Sequence, residues 1–389
     1  MTTAPSLPTP PDAGSADGLL PALQQHMAQA LAQAGGWLGF DRFMELALYA
    51  PGLGYYTHSS TQFGRLPQGL RQADGSVTGA GSDFVTAPEM TPLFGYTLAQ
   101  PVAQALQATG SCEIWEFGAG TGALALQVLS ALQAMGQRVA RYTIVDLSDS
   151  LKAQQRQTLH AHLDVVRWVD ALPAQMQGVV LGNEVLDAMP VQLLARVGGQ
   201  WHERGVVLHD GAWAWADRPT GLRPPLEVEG VHDYLTEIHS QGEAFVRTLG
   251  DRLQRGAVFL LDYGFPEAEY YHPQRHMGTV MCHRAHQADG NPLEAVGRKD
   301  ITAHVNFTGV AVAAQEAGLE LLGYTSQAHF LMNSGLVELM QNASLAERAA
   351  AQKLILEHEM GELFKVIGLV KGVDFASLGF ARGDRTHRL

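Results

Sequence analysis

Two groups of residues in this 389-residue chain have the types and spacing for chemistry on a cation. The first is Glu116 followed by Gly118, Gly120 and Gly122, in the stretch SCEIWEFGAGTGALALQVL that begins at Ser111. Glycines at every second position let the chain turn sharply and let its backbone touch a ligand that a Cβ would hold away. A carboxylate just before such a loop repels a pyrophosphate but attracts a sulfonium and an ammonium, the two cationic groups of S-adenosylmethionine. The second group is Asn183, Glu184 and Asp187 in GNEVLDAMPV. Carboxylates beside an amide at this spacing can hold a cationic group and take a proton from it.

The elements that must position these residues follow from the hydrophobic pattern. A short apolar run ends at Glu116 and an apolar helical pattern opens at Ala123, so the glycines join a strand to a helix. The rhythm continues with a helix over 123–135, a strand YTIVD ending at Asp146, a helix over 150–161, a short strand VVRWVD ending at Asp170 and a strand GVVLGNE from Gly178. Such alternation predicts an α/β fold, a Rossmann-like, mostly parallel sheet with helices on both faces. Ligands collect at the carboxyl ends of such strands. Asp146, Asn183 and Glu184 fall there, as do Asp262 and Tyr263 at the end of AVFLLD, which are expected to line an acceptor pocket. If the chain enters a helix after Glu184, then Glu184 and Asp187 share one face. Glu184 would then hold and polarise a cationic acceptor, with Asn183 and Asp187 positioning it. Structural duties fit the same residues: Asp146 and Asp187 as helix caps, Glu184 in a surface ion pair, Asp170 and Asp262 in turns. A dehydrogenase also fits the spacing of Gly118, Gly120 and Ala123 with Asp146 on a ribose. Glu116 argues against it.

Around this core the chain divides into a Pro/Ala/Thr-rich tail over 1–18, a helical N-terminal segment over 19–110 containing a polar, Gly-rich loop at 57–82, and a core over 111–389. The core carries insertions at about 191–230, which read as antiparallel, and at 263–305, rich in Gly and His. A helix is expected over 231–254 and a strand at LELLGYTS. His272, His276, Cys282, His283 and His286 lack a regular ligand spacing, so no metal is expected and the segment reads as a polar lid over the cleft. Two cysteines cannot build a disulfide framework. The opening residues lack the basic start and apolar run of a secretory signal, and no stretch reaches the length of a membrane span, so a cytoplasmic protein is expected. Lys plus Arg total 26 against 39 Asp plus Glu, a net charge of −13 that disfavours nucleic acid and suits a basic protein or a small molecule. The oligomeric state is left open.

The acid-preceded glycine loop resembles motif I of class I S-adenosylmethionine-dependent methyltransferases. The resemblance implies that the loop backs onto the methionine moiety, that Asp146 accepts both ribose hydroxyls and that Asp170 lies at the adenine edge. Four further stretches narrow it: SDFVTAPEMTPLFG (82–95), GNEVLDAMPV (182–191), LLDYG (260–264) and DITAHVNF (300–307). Together they resemble the family of the mitochondrial complex I assembly methyltransferase and its bacterial MidA-like relatives, over most of the chain from about Gly39. That family implies S-adenosylmethionine as donor and a protein arginine, on a respiratory complex I subunit, as acceptor. The chain departs from the family pattern at Ser82, which splits a Gly-Asp-Phe run, and at Tyr96 and Asn306. A small-molecule methyltransferase and a nonenzymatic, cofactor-binding assembly factor are the alternatives. The intact loop and the acids of GNEVLD favour catalysis.

Overall fold

Near-continuous apolar runs such as VVL and VFLL mark strands covered on both faces. The computed structural model places them at the centre of an eight-stranded sheet. It describes residues 16–58, 70–71, 77–78, 86–284 and 287–389. Most of the tail over 1–18, most of the loop over 57–82, Ser82 and His286 lie outside the described residues.

Helices α1 (Ala16–Gln33) and α2 (Phe40–Tyr49) come first, and α3 (Leu93–Thr109) leads into the alternating part. There follow β1 (Glu113–Phe117), α4 (Ala123–Ala134), β2 (Arg141–Val145), α5 (Asp149–Thr158), β3 (Val166–Val169) and β4 (Met176–Asn183). An antiparallel excursion of β5 (Gln192–Val197), β6 (Gln200–His209), β7 (Ala212–Pro219) and β8 (Tyr234–Ile238) precedes α6 (Ser240–Arg252) and the long β9 (Leu253–Phe265). The last part holds α7 (Phe307–Glu316), β10 (Glu320–Ser326) and, beyond helices at Gln327–Asn333, Leu336–Gln341 and Leu345–Ile355, β11 (Phe364–Lys371).

The sheet runs β10-β11-β9-β4-β1-β2-β3, and its eighth strand, the two-residue Val305–Asn306, pairs with the end of β9. The five strands from β9 to β3 are parallel, while β11 lies antiparallel between β9 and β10. Successive side chains alternate between two cores. Ile114, Val179 and Leu181 pack with α3 and α4, whereas Trp115, Val180 and Leu260 pack with α6 and α7. Phe117 pairs with Gly182 and with Val145, and Asn183 pairs with Leu261, so β1, β2, β4 and β9 end near one level. That common rim brings the chemical residues together.

A third core joins distant parts of the chain. In α2, Phe40, Phe43, Met44, Ala47 and Leu48 recur on one helical face and are buried. They pack with Leu23 and Met27 of α1, with Leu193 of β5 and Val206 of β6, and with Cys282, Ile301 and Ala303 of the second insertion. The helix expected over 231–254 begins only at Ser240, because Tyr234–Ile238 pair with β5. Cross-strand packing overrides the local helical pattern there.

Candidate active site

The loop leaving β1 holds Gly118, Gly120 and Gly122 at φ 64°, 52° and 86°, in the left-handed region that favours glycine. Gly118 and Gly120 line a cavity of about 650 Å³ at the rim. Gly122 instead begins α4 and packs on Gln155 and Leu159. Glu116 also lines the cavity; it is buried, accepts a hydrogen bond from Tyr142 Oη at 2.8 Å, and burial pushes its carboxyl up to about 7. Asp146, just beyond β2, lines the cavity too. It accepts from the Ser148 amide and from Gln155 Nε2, each at 2.8 Å, and burial raises its pKa against these donors. Asp170 does not reach the cavity: it is mostly exposed and pairs with Lys152.

Asn183 and Glu184 line the cavity from the end of β4. The helix that would have joined Glu184 to Asp187 does not form. The chain makes an irregular turn in which Glu184 has φ 54°, a conformation that a non-glycine residue keeps only when its surroundings enforce it. Asp262 enforces it. This buried carboxylate accepts the amides of Val185, Leu186 and Asp187 on one oxygen, at 3.1, 2.9 and 3.2 Å. Asp262 therefore lies beneath the turn rather than in the cavity wall. Tyr263 is not in the wall either: its ring packs on His304 and Phe364, and its hydroxyl meets the buried Asp187.

Asn183 Nδ2 donates to Glu184 Oε1 at 2.9 Å. Glu184 Oε2, Asn183 Oδ1 and Asp187 Oδ1 are buried atoms without a hydrogen-bond partner among the described residues. Burial first, and then the charge of Asp187, push Glu184 up to about 8. Burial and the charges of Asp187 and Glu184 likewise raise Asp262. These acids share one poorly solvated volume, where every added negative charge is resisted.

The opposite walls come from α2 and the turn after it, through Glu45, Tyr49, Tyr56 and Thr57, and from α6 through Phe245 and Thr248. Tyr49 donates to the Ala188 carbonyl at 2.9 Å and Tyr56 to Asp300 at 2.6 Å, tying the N-terminal layer to the Glu184 turn and the second insertion. Glu89 enters from the side and accepts from Thr121 of the glycine loop. The lining thus carries the acids Glu45, Glu89, Glu116, Asp146 and Glu184 and, among the described residues, no Lys, Arg or His. Such a lining favours a cationic group over a pyrophosphate.

A family described as S-adenosyl-L-methionine-dependent methyltransferases has a model that matches residues 97–325, more than half of the chain. The chain belongs to this family. Its fold is close to that of a Burkholderia thailandensis protein whose crystal structure holds S-adenosyl-homocysteine, at 49% identity and a TM-score of 0.87 over 99% of this chain and 100% of that one. Similar curated proteins are named mitochondrial protein arginine methyltransferase NDUFAF7 homologs. That of Caenorhabditis elegans is 25% identical over 87% of this chain and 84% of its own length, and that of Drosophila melanogaster is 27% identical over 80% of each. The cofactor of the methyltransferase is S-adenosylmethionine. The residues present fit it: a phosphate-free molecule with a cationic sulfonium and ammonium suits a wall of acids around a bare glycine turn.

Several lining residues of the methyltransferase have no simple signature in its sequence. Glu45, Tyr49 and Tyr56 sit in a segment that reads only as amphipathic helix, and Glu89 in a short turn. Gln127 fastens that turn by donating to the Pro88 carbonyl at 2.7 Å and accepting from the Gly95 amide at 3.0 Å. Gln155 is buried on α5 between Leu151 and Leu159, where the i, i+4, i+8 spacing was the available signal. The expected polar lid over 263–305 contributes no described residue to the cavity wall: Cys282, Val296, Ile301 and Ala303 pack with α1 and α2, while Phe265, Tyr270 and Tyr271 form a separate cluster with Val228 and Tyr234. Among the described residues no group of three or more His, Cys, Asp or Glu could hold a metal, and no helix is long and apolar enough to cross a membrane.

Proposed function

We propose that the methyltransferase modifies an arginine side chain of a protein. One observation carries this reading: the carboxylate of Glu184, set in the cavity wall with Oε2 unpartnered, in a lining of five acids and no base among the described residues. A guanidinium is the common protein cation whose planar donors match a carboxylate in two hydrogen bonds. Glu184 would hold one edge of it, and Asn183 would fix the carboxylate by its hydrogen bond to Oε1. When bound, S-adenosylmethionine supplies a methyl group on a positively charged sulfur. The N–C bond forms as the S–C bond breaks, and Glu184 takes the proton that the nitrogen releases. A carboxyl raised to about 8 in the free protein is a stronger base than an ordinary glutamate, suited to neutral pH.

Glu116, Gly118, Gly120 and Asp146 form the cofactor side of the cavity in this reading, with Glu116 facing the cationic end and Asp146 the ribose. Asp187 and Asp262 support Glu184 from beneath. The names of the curated relatives and the acidic lining favour a protein arginine over a small molecule, and by resemblance the acceptor is a respiratory complex I subunit. The test is incubation of the purified protein with methyl-labelled S-adenosylmethionine and a lysate of its source, followed by amino-acid analysis of the labelled band. Methylarginine supports the reading. Label only in small molecules, or on another residue type, sinks it.

A further inference from the structure

Gln155 is fully buried, and all of its amide is engaged. Trp168 Nε1 donates to Oε1 at 2.8 Å. An indole nitrogen can only donate, so this contact fixes which end of the amide is oxygen. The two hydrogens of Nε2 then go to the Gly120 carbonyl at 2.9 Å and to Asp146 Oδ2 at 2.8 Å. One side chain therefore ties the glycine loop after β1 to the acid after β2 and to β3. The other oxygen of Asp146 accepts the Ser148 amide at 2.8 Å. Gln155 and the Ser148 amide thus each hold one oxygen of the carboxylate, and the Leu147 amide also hydrogen-bonds the group.

We propose that Gln155 is a positioning residue for the ribose: it turns Asp146 so that the two carboxylate oxygens meet the two vicinal hydroxyls. The inference rests on the reading of Asp146 as the ribose acid. Two hydroxyl donors require an ionised acceptor, and burial works against ionisation here. The other charged groups facing Asp146 are Glu116, which opposes its ionisation, and Lys152, which favours it. Leucine at 155 would leave the Trp168 indole and the Gly120 carbonyl without partners. Glutamate would put an oxygen against two acceptors.

Glu is therefore the informative replacement, because it keeps the shape and the acceptor for Trp168. By calorimetry, Gln155→Glu should weaken S-adenosylhomocysteine about ten- to a hundredfold at pH ~7.5, the range expected for a lost hydrogen bond to a charged group. At pH ~5.5 the paired carboxyls share a proton, an O–H again reaches Asp146, and the loss should shrink to about threefold or less. An S-adenosylhomocysteine analogue lacking both ribose hydroxyls should bind the variant and the parent alike. Equal weakening of ligand and analogue, or a loss independent of pH, would make Gln155 mere scaffold and overturn the proposal. So would unchanged affinity in Gln155→Glu while Asp146→Asn binds weakly. Unchanged affinity in Asp146→Asn would instead remove the ribose reading itself, and the proposal with it. Should Gln155→Glu fail to fold, Trp168→Phe frees the amide to flip and supports the proposal only if the ligand weakens and the analogue does not.

Discussion

Replacing Glu184 with Gln separates what the carboxylate does for the reaction from what it does to the fold. Its ordinary value is 4.5, and in the folded protein it titrates near 8. Between those values the folded protein holds a proton that the unfolded chain has released, so the Glu184 contribution to stability falls as pH rises from 4.5 and levels off above 8. Gln resembles the protonated acid in shape and polarity, and it cannot ionise. At about 1.4 kcal/mol per pH unit, Glu184→Gln should stabilise the protein by up to roughly 3 kcal/mol at pH 7 and roughly 5 kcal/mol above pH 8, upper bounds because Asp187 and Asp262 retitrate when the neighbouring charge disappears. The same variant should lose about two to four orders of magnitude in methyl transfer, the usual reach of a positioned acid or base. Melting temperatures of both proteins from pH 5 to 9, with transfer of labelled methyl groups to lysate protein at pH 8, give the two readouts. Parallel melting curves across that range would refute the argument from burial. Transfer at the parental rate would refute the role in chemistry.

Three further outcomes are expected. Gly118→Val should abolish S-adenosylhomocysteine binding by calorimetry, since even a Cβ there stands 2.8 Å from Val185 Cγ2 at a φ of 64°; unchanged affinity would move the cofactor elsewhere. S-adenosylhomocysteine at a hundred times its Kd should stabilise the protein by about 2.7 kcal/mol in thermal melts, and NAD should not, because its pyrophosphate meets the acidic lining. Asp262→Ala leaves three amides of the Glu184 turn without their acceptor and should lower stability by about 3 kcal/mol or more, with a matching loss of transfer but little change in cofactor affinity. Equal losses in cofactor binding would show that Asp262 supports the whole rim rather than the one turn.

The sheet was legible because its strands are buried on both faces and its helices on one, so the hydrophobic period changes at each junction. The strand-end acids could be read for the same reason: Glu116, Asp146 and Glu184 stand where an apolar run stops. What escaped was set by contacts distant in sequence. The turn from Glu184 to Asp187 reads as helix until Asp262, more than seventy residues later, takes its three amides. The span from Tyr234 to Ile238 reads as helix until β5 supplies a partner. Gln155 and Glu89 carry no motif of their own, and their importance lies in the hydrogen bonds each makes to the glycine loop, formed elsewhere in the chain. Tyr263 and Asp262 were placed at the correct rim but on its underside, a distinction that strand alternation alone does not make past the end of a strand.

The seating of β11 between β9 and β10 also bears on how the chain must be made. On a ribosome β9 is finished long before β11 exists, and its edge carries open backbone donors and acceptors beside a run of Val, Phe and Leu. At about 5–20 residues per second the edge waits on the order of ten seconds for its neighbour. The apolar face of α2 waits longer still, since Ile301 and Ala303 follow it by some 250 residues. Both surfaces are sticky while they wait: α1, β5 and β6 cover only part of the α2 face, and the edge of β9 has no partner until β11 is made. Nascent protein should therefore depend on holding chaperones until synthesis is nearly over, and the last strand, remote from every reacting atom, is the one that closes the fold.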